Sequence, residues 1–472
     1  MKHSRRQFIQ IVGLGAGAAT IGFGYSERNR NISGANKQKS IPGITMPAKD
    51  IPVIGSYDVL VCGGGASGIT AALAARRAGL SVLVIDGQGQ LGGNGVSGMV
   101  SEWLGGDNGG IYHEFASETI EAGIARLSDW GPAFDPFAMA AYLDRKMASG
   151  GVEVLLHTQC VDARLDSGRI SHIIIFNKSG FQAVEGRAII DATGDADIAA
   201  RSGCAFKKGR DEDGLMTPTS LIFHVCNVDE VKLNAHFEKE GDRLLDQIER
   251  MTAQGVWPFP YNRFITRKLN EDGVWMVNTI RLVGLDGTVG KHVSDGMISG
   301  REEAQKLMKI FRKHVPGYEH ARIKAVAPFL GVRETRRISA EYEMTIDDLG
   351  KWVNDRSMFD DIIGYSTWGF DLPLPNAPSV NPDPDRTDLP KGKPIPYRVM
   401  VPRPVTNLIC PGRAISVERM LLGSLRVMSP CMAMGQAAGQ AAAQVVRDNT
   451  PFARVDTQRL VLELKENGVR LG

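Results

Sequence analysis

No two of the six cysteines stand in a C-x-x-C spacing. The absence of that spacing excludes a dithiol redox motif and a zinc knuckle. Cys62, Cys160, Cys204, Cys226, Cys410 and Cys431 lie mostly in apolar runs and read as small core residues. Charge of one sign is also missing: 55 basic and 53 acidic side chains leave a formal net charge of +2. No basic field is present for nucleic acid, and no charged block suggests an interaction tail. No H-x-x-x-H pair or carboxylate triad marks a metal site, and no internal repeat is evident. Beyond residue 24 there is no long apolar run, so no stable membrane span is expected after processing. Glycine, by contrast, is plentiful at 54 residues and widely spread, as suits a backbone that must approach a ligand closely. A chain of 472 residues exceeds what one core usually holds, and two intimately joined domains are expected.

The N-terminus begins "MKHSRRQF", with Arg5 and Arg6 followed by a glycine- and alanine-rich stretch to Gly24. It resembles a twin-arginine export signal, expected over residues 1–35 and followed by a linker over 36–56. A periplasmic or secreted location is the expectation.

The stretch "VLVCGGGASGITAALAARRAGLSVLVID", Val59 to Asp86, carries the strongest signal. Val59 to Cys62 reads as a buried strand, Ser67 to Ala78 as a helix, and Ser81 to Ile85 as a second strand. Gly63, Gly65 and Gly68 form G-x-G-x-x-G between the first strand and the helix. The first glycine permits a tight turn, the second admits a pyrophosphate, and the third lets helix pack on strand. Ala66 and Ser67 open the helix, whose N–H groups face the diphosphate. Asp86, 18 residues after Gly68, ends the second strand where it can accept from ribose hydroxyls, with Gly87 beside it. A further glycine loop, Gly92-Gly93-Asn94, follows.

Three more motifs follow along the chain: "ATGD" at Ala192 to Asp195, "GVRETRRI" at Gly331 to Ile338, and "GQAAG" at Gly435 to Gly439. With these the sequence, from about Tyr57 onward, resembles the FAD-dependent oxidoreductases of the glutathione-reductase-like superfamily. The resemblance implies FAD as cofactor. It sets Gly92, Gly93 and Asn94 along the phosphates and ribityl chain, and the backbone of Val161 against adenine. Thr193 and Gly194 belong to the returning A-T-G motif. Gly412 and Arg413 come at the turn near the phosphates, where relatives often carry an acid. Met434 and Gly435 fall in the late helix whose N-terminus points at the flavin pyrimidine edge. Glu418 stands where relatives often carry histidine.

The expected fold is α/β: a Rossmann-like FAD domain with a parallel sheet and β-meander, plus a mixed α+β cap. The FAD domain is expected over 57–111, 150–220 and 398–472, a helical segment over 112–149, and the cap over 221–397. The meander is read as strands near 152–158, 170–177 and 180–191. Arg333, Arg336 and Arg337 have i, i+3, i+4 spacing, which predicts one helix face presenting guanidinium groups to a substrate carboxylate or reduced flavin. His224, in the strand-like "LIFHVCN", is the candidate proton acceptor. The function expected is oxidation of a small organic substrate, with hydride passing to flavin N5 and an external quinone or cytochrome as acceptor. Reduction of an activated double bond, or FAD binding without turnover, are the alternatives. One dinucleotide fingerprint and no redox cysteine pair argue against a pyridine-nucleotide disulfide reductase.

Overall fold

The structure is a computed structural model that describes residues 48–377, 381 and 389–471. The expected export signal lies outside the described residues.

The opening motif folds as β1 (Val53–Cys62), α1 (Ala66–Arg77) and β2 (Val82–Ile85). β1 starts six residues earlier than its apolar run, inside the expected linker. Val53 and Ile54 are exposed there, so burial left no pattern to read. β3 (Glu153–Leu155) joins β2 in parallel, and β2 and β1 pair in parallel register from Val59 with Val82 to Cys62 with Ile85. β4 (Gln159–Asp166), β5 (Arg169–Asn177) and β6 (Gly180–Asp191) form the meander. The sheet order is β3-β2-β1-β6-β5-β4. β6 runs parallel to β1, while its first half pairs antiparallel with β5. Its end at Ile189 and Ile190 pairs in parallel with a short last strand, Leu408–Ile409. The expected first meander strand is corrected: residues 153–155 belong to the parallel sheet, and Gln159–Asp166 fills the meander. β4 is mostly exposed and lacks the apolar alternation that would announce it.

Alternate residues of β1 and β2 serve two cores, as a doubly covered sheet requires. Val59, Val61, Val82 and Val84 pack with α1 and α2 (Met428–Asp448). Leu60, Cys62, Leu83 and Ile85 face the other way, with Ile173, Ile175 and Ile189. The six cysteines are all free, with four of them fully buried. The segment 112–149 is not continuously helical. Helices Gly110–Glu121 and Pro136–Ser149 flank a hairpin of Ala125–Ser128 and Gly131–Phe134.

The cap has its own core around Phe223, Trp257, Phe264, Phe311 and Tyr318. Its antiparallel sheet runs in the order Thr266–Lys268, Trp275–Val277, Phe223–Cys226, Arg322–Val326. The 25-residue helix Gly290–His314 packs on it through Ala304, Leu307, Met308 and Phe311. No helix among the described residues is long and apolar enough to cross a membrane.

Candidate functional site

A cavity of about 700 Å³ opens at the carboxyl ends of β1 and β2 and extends to the cap. That is where open α/β sheets bind their ligands. Gly63, Gly65, Ala66, Ser67, Asp86, Gly87, Gly92, Gly93, Asn94, Thr193, Gly194 and Arg413 all line it.

The glycines there do different work. Gly63 has φ +109°, and a Cβ on it would stand 2.3 Å from the Ala192 carbonyl oxygen. Gly68 packs against the Gly63 carbonyl, where a Cβ would come within 1.9 Å, so it seats the helix on the strand and leaves the cavity to its neighbours. Gly65 and Gly93 bring two loops together: a Cβ on Gly93 would meet the Gly65 Cα at 2.9 Å. The N-terminus of α1 has no side-chain cap and no acid in its first turn. Its free N–H groups and dipole therefore suit an anion. Asp86 accepts from the Gly64 N–H at 2.5 Å and the Gln88 N–H at 2.6 Å. Burial raises its pKa, and these two hydrogen bonds oppose the rise. Buried Asn94 Oδ1 has no protein partner at the cavity wall. Two side-chain-free loops, an uncapped helix terminus and a terminal acid fit a dinucleotide laid across the sheet ends.

Arg413, where an acid is common in the resembling family, pairs with Asp195 at 2.8 Å and donates to Thr335 Oγ1 at 3.1 Å. The two charges neutralise one another. At the start of α2, Val427, Met428 and Cys431 line the cavity. Met434 and Gly435 lie further along the helix. Gly435 is spent on helix packing: a Cβ there would stand 2.0 Å from the Ser67 carbonyl oxygen of α1. Gly412, with φ +101°, abuts Ser67 Oγ and does not reach the cavity wall. Of the β4 entrance, Thr158, Gln159 and Cys160 line the cavity, and Val161 does not.

The expected arginine helix is absent. Residues 331–335 are irregular, and Arg336–Ile338 is a strand pairing with Phe206–Lys208. Strand alternation sends Arg336 and Arg337 to opposite sides. Arg336 donates to the Asp195 carbonyl at 2.8 Å and pairs with Asp197 at 2.9 Å. Arg337 pairs with fully buried Glu334 at 2.9 Å, and Arg419 binds the same carboxylate at 2.7 Å. Only Arg333 of the three lines the cavity. His224 sits behind the wall, its Nε2 3.0 Å from the Met99 carbonyl and 3.3 Å from Ser101 Oγ. Burial lowers its pKa to about 4, which suits a neutral core histidine. Glu418 accepts from the Ile346 N–H at 2.8 Å and so anchors a helix start.

The cap side of the cavity holds residues that no motif announced. Arg281, Asn278, Ser220, Asp371 and Arg426 line it, with Trp130, Trp368 and Phe370. The available signal was a charge inside an apolar run: Arg281 in "VNTIRLV" and Arg426 in "GSLRVM". Burial lowers Arg281 to about 10 and pushes Arg333 well below its usual value, with Arg426 a further cause for both. For Asp371 burial works upward, but Arg426, Arg333 and Arg281 outweigh it and hold the carboxyl down.

A glycine-walled cradle at the sheet ends, continued by a polar compartment under a separate sheet, defines a dinucleotide-binding α/β protein with a second, antiparallel sheet. The chain belongs to the FAD dependent oxidoreductase family, whose model matches residues 58–464. FAD is its cofactor, and Gly63, Gly65, Ser67, Asp86, Gly92 and Gly93 line the cavity at the sheet ends. A digeranylgeranylglycerophospholipid reductase of Methanopyrus kandleri is 28% identical over 227 residues, covering 43% of this chain and 54% of the relative. The chain thus spans about half the length of that curated relative. Among solved structures, a geranylgeranyl bacteriochlorophyll reductase-like protein from Thermoplasma acidophilum aligns over 88% of this chain and 85% of its own, at 13% identity and TM-score 0.47. A p-nitrophenol 4-monooxygenase from Pseudomonas putida aligns over 87% and 83%, at 11% identity and TM-score 0.45.

Proposed function

We propose that this enzyme is a dehydrogenase that oxidises a small organic substrate bound between the FAD cradle and the cap sheet. The observation carrying this reading is the continuity of one cavity from Gly65 and Gly93 to Ser220 and Ile222 of the cap. Bound FAD supplies a two-electron acceptor for a substrate hydride, and an external quinone or cytochrome then removes the electrons. The chain's own residues do the positioning. The uncapped start of α1 holds the diphosphate, and Asp86 takes the ribose hydroxyls. Trp130 and Trp368, edge to face at 5.5 Å, both line the compartment.

Anaerobic mixing with a panel of alcohols, polyols, amines and organic acids tests this. A substrate should bleach the flavin band, and an acceptor should restore it. Failure of every reductant class to bleach, with an activated alkene reoxidising photoreduced enzyme, would assign the opposite direction. That second reading is favoured by the reductase activity in the name of the curated relative.

We also propose export through the Arg5-Arg6 motif. Lysine at both positions should leave the protein in the cytoplasm on cell fractionation; unchanged export would refute the assignment.

A further inference from the structure

Two guanidinium groups in the cap compartment have no carboxylate at ion-pair distance among the described residues. Arg281 and Arg333 are each 8% exposed, and both line the cavity. Arg281 Nη1 donates to Ser220 Oγ at 3.0 Å, to the Asn278 carbonyl at 2.8 Å and to the Ile280 carbonyl at 3.0 Å. Arg333 Nη1 donates to the Pro218 carbonyl at 2.9 Å. All of these acceptors are neutral. Arg426, by contrast, has Asp371 Oδ2 at 3.3 Å. Among the described residues, neither Arg281 nor Arg333 forms an ion pair; the carboxylate that acts on both, Asp371, is paired with Arg426, so three guanidinium groups share one negative charge, and buried positive charge in excess is costly. The two groups also converge. Arg281 Nη1 and Arg333 Nη2 each lie 3.3 Å from the same atom, Asn278 Oδ1, so they can be no further apart than twice that distance. The same cavity also has an apolar lining from Ile222, Ile265, Phe329 and Phe370.

We infer that Arg281 and Arg333 together bind the carboxylate of a small organic acid, which is the substrate class of this enzyme. The inference rests on the reading that the cavity houses FAD at its other end. A carboxylate offers one oxygen to each guanidinium, and its carbon frame then lies along the apolar wall toward the flavin. Asn278 acts as the positioning residue, since its amide oxygen holds both arginines at one spacing.

The test uses holoenzyme in its oxidised, yellow form, with benzoate, benzamide and inorganic phosphate as probes. Binding is followed by perturbation of the flavin band and by calorimetry. Benzoate should bind at least about a hundredfold more tightly than benzamide, the size of loss expected when buried charged groups are left unpaired. Arg333→Gln should weaken benzoate about thirtyfold or more. Its ligand-free melting temperature should stay level or rise, because one of three buried cations that share Asp371 has gone; a purely structural arginine would move it the other way. Should that variant fail to fold, the benzoate and benzamide comparison on the unaltered enzyme still decides. A yellow protein that binds the two alike, or that prefers phosphate, overturns the carboxylate inference alone. A colourless protein that takes up no FAD overturns the reading beneath it.

Discussion

Gly435→Ala gives the sharpest test of how the cradle is held. α1 and α2 cross where Gly435 faces Ser67 and Thr70, and Gly439 faces Ala71 and Ala74. An alanine Cβ at 435 would stand 2.0 Å from the Ser67 carbonyl oxygen and 2.3 Å from Thr70 Oγ1. Ordinary Cβ contacts start at 3.4 Å, so the helices must part by more than about 1 Å. Such a gap forfeits roughly a quarter to a half of each dispersion contact at the crossing. It also threatens the bond from Thr70 Oγ1 to the Met432 carbonyl, now 2.8 Å. Overpacking costs about 1–3 kcal/mol, and this case belongs at the top because the obstacle is backbone. Alanine returns about 1 kcal/mol of helix propensity. The net expectation is a loss of about 2 kcal/mol. Ser67 lines the cavity, so FAD retention should fall with it. Gly439→Ala, 2.3 Å from the Ala71 carbonyl, should behave alike, and the pair should cost less than the sum because both open one crossing. Gly290→Ala, with nothing within 4 Å, is the control and should be neutral. Urea unfolding by tryptophan fluorescence measures stability, and absorbance of the desalted protein measures retained flavin. The reasoning is refuted if Gly435→Ala unfolds at the parental urea concentration yet loses flavin, since Gly435 would then touch the cofactor and not the helix.

Asp86→Ala removes the acceptor for the Gly64 and Gln88 N–H groups and for the ribose. Apparent FAD affinity should fall about 10- to 100-fold, the worth of one or two charged hydrogen bonds; fluorescence titration of apoprotein that showed no change would exclude Asp86 from the site. Glu334→Gln leaves Arg337 and Arg419 without their shared carboxylate and should cost about 3–5 kcal/mol in urea unfolding. A variant as stable as the parent would deny that buried pair its structural role. His224 is neutral in the fold down to about pH 4, whereas the unfolded chain binds its proton near 6.5. Between those values the unfolded state holds more protons, so stability falls as pH drops, by about 3 kcal/mol from this group. His224→Gln should flatten the stability profile between pH 6.5 and 4 with turnover unchanged; a pH-dependent loss of turnover instead would return His224 to catalysis.

What could be read from sequence is what the backbone itself performs. Gly63, Gly68 and Gly93 are constrained by close approach of main chain to main chain, and Asp86 by its place at a strand end. Those demands act over a few residues and leave fixed spacings. The arginine spacing at 333, 336 and 337 failed because i, i+3, i+4 is only a helical signature if the segment is helical. Pairing of Arg336–Ile338 with Phe206–Lys208, more than 120 residues away, overrode it. Met434 and Gly435 were carried over from a resemblance that gives helix position without helix phase; the phase is set by the crossing with α1. The cap compartment was invisible for a different reason. Ser220, Asn278, Arg281, Asp371 and Arg426 come from four separated segments, and no local rule links them to one another or to Arg333.

The two ends of the cavity thus handle negative charge by different means. At the cradle the positive potential is carried by peptide N–H groups at the start of α1, and the one arginine present, Arg413, is cancelled by Asp195. A dinucleotide held this way depends on backbone, which substitution barely alters. At the cap the potential is carried by side chains, with Arg281 and Arg333 meeting on a neutral amide and sharing with Arg426 the single carboxylate of Asp371. Side chains on separate segments can be exchanged one at a time without disturbing the sheet ends. On the inference drawn above, selectivity for a carboxylate rests with the cap arginines. Exchanging both for neutral residues should keep the protein yellow while abolishing its preference for acids over amides.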